Sequence, residues 1–202
     1  LDDVQGAYTE NGWKADDAVL SALKETNTDA SAAPVIAALR SIYLPWAEAS
    51  ARHVQTLVES EGYPGGTVAS KPKASQTDSE CILFVDGLRF DLGKRLAASL
   101  EYAGLEVTET PAWSALPSVT STAKPAVSPV LHEIEGRDQS EEFDPSVAAS
   151  GQSLRGGHHL KNLMVNAGYQ VLPRNEVGDP AGMAWTELGD IDHEGHQRGW
   201  KL

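Results

Sequence analysis

Apolar residues recur at helical spacing through the first third of the chain. Between residues 15 and 24 this spacing predicts one helix, formed around Ala18, Val19, Ala22 and Leu23. A second predicted helix begins near Pro34 and a third at Pro45, because proline suits the first helical turn and the residue before it disfavours helical conformation. The third helix is expected to reach about Ser60, so residues 1–61 are predicted to be a helical segment.

The pattern changes after this segment. Residues 62–79, GYPGGTVASKPKASQTDS, are rich in Gly, Pro, Ser and Lys and have no apolar period, which is typical of a linker. The continuous apolar run CILFV at residues 81–85 then predicts a strand that is covered on both faces. Residues 88–104 carry apolar side chains at helical spacing, and Gly104 is a natural helix stop.

A second strand is predicted in LEVTET, residues 105–110. A strand, a helix and a strand in this order predict a right-handed crossover and a parallel sheet. Further on, HLKNLMVNAG predicts a helix that ends at Gly168, and YQVL predicts the next strand. Residues 80–202 are therefore predicted to form an α/β domain, in which helices flank a parallel sheet.

The amino-acid composition disfavours several classes of function. The chain of 202 residues carries 16 basic and 29 acidic residues, a formal net charge of -13, which disfavours loose binding to nucleic acid. The single cysteine, Cys81, excludes an internal disulfide and is expected to be a small buried residue. No apolar run reaches the ~18 residues of a membrane span, and no secretory signal is visible, so we expect a cytoplasmic protein without a membrane partner.

Asp86 directly follows the predicted strand CILFV. Ligands collect beyond the carboxyl ends of strands in parallel sheets, which makes Asp86 a candidate site residue. Gly87 beside it permits a sharp turn. The alternative is that Asp86 caps the helix predicted to begin at Leu88, and this motif alone does not separate the two interpretations.

The stretch LPSVTSTAKPAVSPV offers three hydroxyl side chains, those of Thr120, Ser121 and Thr122, ahead of Lys124. A hydroxyl becomes a good nucleophile only when a base or a metal ion lowers its pKa, so a catalytic role here requires a nearby cation. Without one, the stretch is an ordinary loop. The sequence contains no G-x-S-x-G elbow, which argues against a serine hydrolase of the α/β type.

A D-x-x-G-H-x-x-G pattern stands near the end of the sequence, formed by Asp192, Gly195, His196 and Gly199. A carboxylate together with an imidazole suits zinc or manganese and matches calcium poorly. Gly195 predicts a tight loop rather than a long helix. The alternative is a surface turn with an incidental histidine.

Taken together, three stretches resemble the PglZ family, a branch of the alkaline phosphatase superfamily found in bacterial BREX phage-defence systems. They are VDGLRFDLG, LPSVTSTAKPAVSPV and WTELGDIDHEGHQRGWKL, with a looser similarity in YLPWAEASARHVQTLV. The resemblance covers most of residues 42–202. It implies an alkaline-phosphatase-like fold and a metal-dependent phosphoesterase, of phosphodiesterase or nuclease type, with two divalent ions, zinc or manganese.

By position, the resemblance implies that Asp86 is a ligand of one metal ion and that Thr120 is the nucleophile, which touches the same ion. Asp192 and His196 would be ligands of the other ion. Thr122 is the second candidate for the nucleophile, because the neighbouring hydroxyl residues allow this stretch to be aligned with the family in more than one register.

The resemblance carries further expectations. Lys124 would bind substrate by offsetting charge on the transferred group, with a plain surface lysine as the alternative. The superfamily pattern continues with an Asp-His pair and a final His that this sequence does not reach, so each metal is expected to keep roughly half of its protein ligands. We therefore expect a fragment of the fold, inactive alone and catalytic in the intact protein.

The expected partners are other BREX proteins and, as a substrate, nucleic acid. The alternative function is a non-catalytic scaffold of the defence complex.

Overall fold

The structure, a computed structural model, describes residues 1–26, 29–65, 79–136 and 144–198. It is of mixed α/β class, with a small parallel sheet flanked by helices. Internal contacts divide the chain into two units. The first comprises Leu1–Tyr63 and Arg89–Pro111, and the second comprises Pro64–Leu88 and Ala112–Leu202.

The described part of the first unit is helical. Its elements are α1 (Asp2–Ala7), a π-helical segment (Tyr8–Gly12), α2 (Trp13–Lys24), α3 (Asp29–Glu61) and α4 (Phe90–Tyr102). The helix predicted over residues 15–24 is confirmed as α2. The helix predicted over residues 88–104 is confirmed as α4, which is followed by Gly104 in the left-handed conformation with a φ of 85°.

The predicted helix break at Pro45 is wrong, since α3 runs through both Pro34 and Pro45. A proline inside a helix removes one backbone hydrogen bond, and here side-chain contacts hold the helix on either side of it. The Tyr43 and Trp46 rings lie 5.7 Å apart across Pro45. The Tyr43 hydroxyl also donates a hydrogen bond of 2.5 Å to Asp16 on α2, which fixes the turn before the proline.

Asp16 accepts hydrogen bonds from two tyrosines of the first unit. The Tyr8 hydroxyl donates to one carboxylate oxygen at 2.6 Å, and the Tyr43 hydroxyl donates to the other at 2.5 Å. The pKa of Tyr8 is raised above its usual 10, first by burial and then by its hydrogen bond to Asp16. The pKa of Tyr43 is also raised, mainly by its hydrogen bond to Asp16. Both phenols are therefore stabilised in the protonated form.

This cluster predicts a loss of stability at alkaline pH. The folded tyrosines keep their protons above the usual pKa of 10.0, whereas the unfolded chain releases them, so the free energy of unfolding falls as pH rises past that value. We expect a Tyr8→Phe, Tyr43→Phe variant to be about 2 kcal/mol less stable at neutral pH and to show a weaker decline above pH 10. Urea unfolding across this range measures both effects. Tyr102→Phe is the control because Tyr102 is 96% exposed, and parallel pH profiles would contradict the prediction.

The strand predicted at residues 105–110 is wrong, because this stretch is not in strand conformation and pairs with none of the strands in the described part of the chain. It belongs instead to the helical unit, where Lys94 of α4 forms an ion pair of 2.5 Å with Glu109. Arg95 of α4 also pairs with Asp17 of α2 and donates a hydrogen bond of 2.7 Å to the Ser21 hydroxyl. These polar contacts hold α4 among the helices, so the predicted crossover from CILFV through α4 to a strand at residues 105–110 does not form.

The predicted segments 1–61, 62–79 and 80–202 stay a prediction. The division by contacts differs from them, since it assigns Arg89–Pro111 to the helical unit. Most of the predicted linker, residues 66–78, lies outside the described residues.

The second unit contains a three-stranded parallel sheet in the order β1-β5-β4. Its strands are β1 (Glu80–Val85), β4 (Gln170–Leu172) and β5 (Met183–Leu188). The strands predicted from CILFV and YQVL are thus confirmed. The remaining elements are α5 (Thr120–Val127), a 3-10 turn (Leu131–Glu133), the antiparallel pair β2 (Ile134–Glu135) and β3 (Ser146–Val147), α6 (His158–Asn166) and α7 (Asp190–Arg198).

One face of the sheet packs on the core of this unit. Trp185 of β5 is fully buried at its centre, and Ile82 and Phe84 of β1 pack against it from the same face. The buried apolar residues of this core are Val130, Ile134, Val147, Leu154, Leu160, Leu163, Met164, Tyr169 and Trp185. Burial of this apolar surface is the main term that stabilises the unit.

The prediction that β1 is covered on both faces is wrong. Leu83 is 53% exposed, and Cys81, which was expected to be buried, is exposed as well. Side chains alternate between the two faces of a strand, so Cys81 and Leu83 lie on the face opposite Ile82 and Phe84, which pack against the core. Within the described ranges, no helix combines the length and the apolar character needed to cross a bilayer.

Candidate active site

Asp86 and Thr120 meet at the carboxyl end of the sheet. Asp86 follows the last residue of β1, and Thr120 is the first residue of α5. The Thr120 hydroxyl lies 3.1 Å from one carboxylate oxygen of Asp86 and 3.0 Å from the other, and it donates its hydrogen bond to that carboxylate. Both side chains are half-buried. A hydroxyl group therefore stands beside a carboxylate that accepts its hydrogen bond.

Backbone contacts fix the position of Asp86. Val85 is paired with Leu188, the last residue of β5, and the Asp86 amide continues the ladder by donating to the Leu188 carbonyl at 2.8 Å. The side chain of Asp86 thus begins where two neighbouring parallel strands end. Ligands of parallel sheets bind at this edge, as the sequence suggested for Asp86.

The alternative role of Asp86 as a helix cap does not match the geometry. Helix α4 begins at Phe90 rather than at Leu88, and its N-cap residue is Arg89. No side chain of the residues that the structure describes caps this helix end by a hydrogen bond. The carboxylate of Asp86 is instead engaged by Thr120.

Thr122 lies in the same helix as Thr120 but its hydroxyl has a structural role. Its side chain is buried, with 2% exposure, and its hydroxyl donates to the carbonyl of Val119 at 3.0 Å and contacts the carbonyl of Pro117. These carbonyls belong to the loop that leads into α5. Of the two candidate nucleophiles, Thr120 is the one whose hydroxyl contacts Asp86.

Asp192 and His196 lie on helix α7. The prediction of a tight loop around Gly195 is wrong, because Gly195 lies inside this helix. Glycine in a helix interior costs about 1 kcal/mol relative to alanine, and the acidic side chains of Asp190 and Asp192 in the first turn oppose this cost by interacting with the helix dipole. Gly199, the last residue of the motif, lies outside the described residues.

The helix gives Asp192 and His196 a common face. Residues four positions apart are neighbours on a helix, and the His196 Nε2 atom lies 3.6 Å from the Asp192 Oδ1 atom. The His196 side chain is 80% exposed, whereas Asp192 is half-buried. The pair offers one oxygen and one nitrogen donor to a ligand that approaches from solvent.

The two pairs lie at the same edge of the sheet. Asp86 follows β1, α7 begins just after β5, and these two strands are neighbours. The turn at Gly87 packs directly against α7, since a Cβ atom on Gly87 would lie 3.1 Å from the Asp192 backbone nitrogen. Sequence reasoning identified Gly87 as a turn residue but missed this contact, which has no signal in the local sequence.

Lys124 has a partner that the sequence did not reveal. Its Nζ atom forms an ion pair of 2.7 Å with Glu187 of β5 and lies 5.5 Å from the centre of the Phe84 ring. Glu187 also accepts a hydrogen bond of 3.0 Å from the Trp185 indole. The predicted role of Lys124 in substrate binding stays a prediction.

The chemistry of these donors fits divalent cations in part. Asp86 and Thr120 supply oxygen atoms, and Asp192 and His196 supply oxygen and nitrogen, the donor types that zinc and manganese accept. Each pair would supply two protein ligands to the coordination shell of one metal ion. Among residues 1–26, 29–65, 79–136 and 144–198, no three His, Cys, Asp or Glu side chains gather into one cluster.

The fold and site together define an α/β unit with a hydroxyl and a carboxylate at the carboxyl end of a parallel sheet. Comparison of the chain with protein-family models, with curated proteins and with solved structures found no match.

Proposed function

We propose that the chain is part of a metal-dependent phosphoesterase of the alkaline phosphatase type, with Thr120 as the nucleophile. The observation that carries the proposal is the contact of the Thr120 hydroxyl with both oxygens of Asp86, at 3.1 and 3.0 Å. Threonine is a weak nucleophile unless a neighbouring group takes its proton or stabilises its alkoxide. The resemblance of the three site stretches to the PglZ family supports the same assignment.

In the first step, the Thr120 oxygen forms a bond to phosphorus while the bond from phosphorus to the leaving alcohol breaks. The proton of Thr120 passes to the Asp86 carboxylate, which already accepts its hydrogen bond. The departing alkoxide takes a proton from solvent, and the product is a phosphothreonine that still carries the second ester group of the substrate. A divalent cation held by Asp86 and Thr120 would supply Lewis acidity, which lowers the pKa of the hydroxyl and offsets charge on the phosphoryl oxygens.

In the second step, water attacks phosphorus and the bond to the Thr120 oxygen breaks. Thr120 recovers its proton from Asp86, the attacking water gives up one proton to solvent, and the phosphate monoester leaves. Asp192 and His196 would hold the second cation, because one face of α7 presents both of their donor atoms toward solvent. The contact between Gly87 and Asp192 supports a single site for both steps.

The proposed substrates are phosphodiesters, with nucleic acid as the candidate within a BREX defence complex. The net charge of -13 opposes unaided binding of a polyanion over the protein surface. We therefore propose that partner proteins of the complex bring such a substrate to the site, while small phosphodiesters reach it without help.

The direct test is hydrolysis of bis-p-nitrophenyl phosphate by the intact protein. We expect activity with zinc or manganese, loss of activity after treatment with EDTA, and recovery when the metal is returned. Calcium is the control cation, since a site with an imidazole ligand suits it poorly. Absence of hydrolysis with every divalent metal would contradict the proposal and favour the non-catalytic scaffold.

A further inference from the structure

Gly87 combines two features that disfavour a larger residue. Its φ of 75° lies in the left-handed region, which residues with a Cβ atom adopt at a cost. A Cβ atom built on Gly87 would also lie 3.1 Å from the Asp192 nitrogen and 3.4 Å from the Asp192 Cα atom. Its third neighbour, the Ile191 Cγ2 atom, would be 3.3 Å away. Two of these atoms are helix backbone, which cannot rotate out of the way as a side chain can.

Another glycine of the same unit has the positive φ but not the close contact. Gly156 has a φ of 84°, close to that of Gly87, but a Cβ atom added to it meets nothing within 4 Å. A change to alanine at Gly156 therefore introduces only backbone strain. The same change at Gly87 introduces that strain and a contact with the first turn of α7.

We propose that Gly87 is a positioning residue of the active site. The missing Cβ lets the turn after β1 lie against Ile191 and Asp192 of α7. This close approach holds the Asp86–Thr120 pair beside the Asp192–His196 pair, so that both can act on one phosphoryl group. The catalytic part of this inference rests on the proposed function, whereas the packing part does not.

Hydrogen exchange tests the packing part without any metal. In Gly87→Ala, the added Cβ displaces the first turn of α7, and we expect the His193 amide, which donates to the Gly189 carbonyl at 3.0 Å, to exchange about tenfold faster. Gly156→Ala should leave this amide unchanged. Gly87→Asn separates contact from strain, because asparagine tolerates a positive φ yet carries a Cβ, and it should behave like Gly87→Ala. Unchanged exchange in both Gly87 variants would overturn the inference.

Kinetics and zinc titration of the intact protein test the catalytic part. Displacement of one half of a site lowers the rate of the chemical step, so we expect kcat of both Gly87 variants to fall about 10²-fold, with KM changed little. Calorimetry should find weaker zinc binding than in the wild type and in Gly156→Ala. Wild-type kcat and zinc affinity in Gly87→Asn would overturn the positioning role. Failure of the wild type to bind zinc or hydrolyse diesters would refute the proposed function, and the exchange experiment would still decide the packing of Gly87.

Discussion

Thr120→Ala is expected to abolish phosphodiester hydrolysis by the intact protein, with kcat reduced at least about 10⁴-fold. The reason is that the variant lacks the oxygen that would attack phosphorus, while the Asp86 carboxylate that it contacts at 3.0 Å remains. The fold should persist, since loss of one half-buried hydroxyl costs about 1 kcal/mol or less. Initial rates and thermal unfolding measure the two effects separately.

Covalent trapping adds a second readout for Thr120. A phosphothreonine should be detectable by mass spectrometry after acid quenching of the wild type and should be missing from Thr120→Ala. Thr120→Ser should retain part of the activity, because the hydroxyl is kept and only a methyl group is lost. If Thr120→Ala is fully active in an enzyme that still requires Asp192, water is the direct nucleophile and the covalent mechanism is excluded.

Thr122→Ala is the matched control that tests which of the two threonines is the nucleophile. The Thr122 hydroxyl is bonded to the backbone of the loop before α5, so we expect this variant to lose about 1–2 kcal/mol of stability and to keep its catalytic rate. An inactive Thr122→Ala with an active Thr120→Ala would contradict the assignment. The nucleophile would then be Thr122.

Local periodicity predicted those elements whose partners lie close in sequence or whose apolar pattern is strong. Helix α2, helix α4 and the strands β1 and β4 belong to this group. The pattern of LEVTET alternates as in a strand, but alternation does not supply a neighbour to pair with, and the segment instead joins the helices through Glu109. Residues 183–188 form the central strand β5, which was not among the strands predicted from the sequence.

The continuous helix through Pro45 is another feature that the local sequence pattern did not predict. A proline and its preceding residue both disfavour helix, and sequence alone gives no measure of the contacts that oppose this preference. Here the opposing contact comes from Asp16, which binds the Tyr43 hydroxyl from another helix. Tertiary interactions therefore decide whether α3 is one helix or two.

The site was predictable only in part from the residues themselves. The rule for parallel sheets placed Asp86 at the carboxyl edge, and the choice of Thr120 came from the resemblance to a family. The helical state of the Asp192 motif was missed because glycine suggested a loop. The contact of Gly87 with Asp192 joins residues that are distant along the chain, and no local pattern reports it.

Asp86→Asn tests whether charge or shape matters at the edge of the sheet. Asparagine has nearly the same volume and its amide oxygen can still accept the hydrogen bond from Thr120, so we expect thermal stability to change by no more than about 1 kcal/mol. The neutral amide cannot take the proton of Thr120 and is a weaker ligand for a divalent cation. We therefore expect kcat to fall about 10³-fold and zinc affinity to fall about tenfold or more.

Asp190→Asn provides the matched control for loss of a carboxylate at this edge. Asp190 opens α7 and pairs at 2.7 Å with Arg174 on the surface, and such exposed pairs contribute about 1 kcal/mol or less. Its removal should leave the rate and zinc affinity nearly unchanged, because neither donor pair includes it. A lowered melting temperature with full activity in Asp86→Asn would instead assign Asp86 a structural role. Equal losses of activity in both variants would point to the overall charge at this edge rather than to a ligand and base at Asp86.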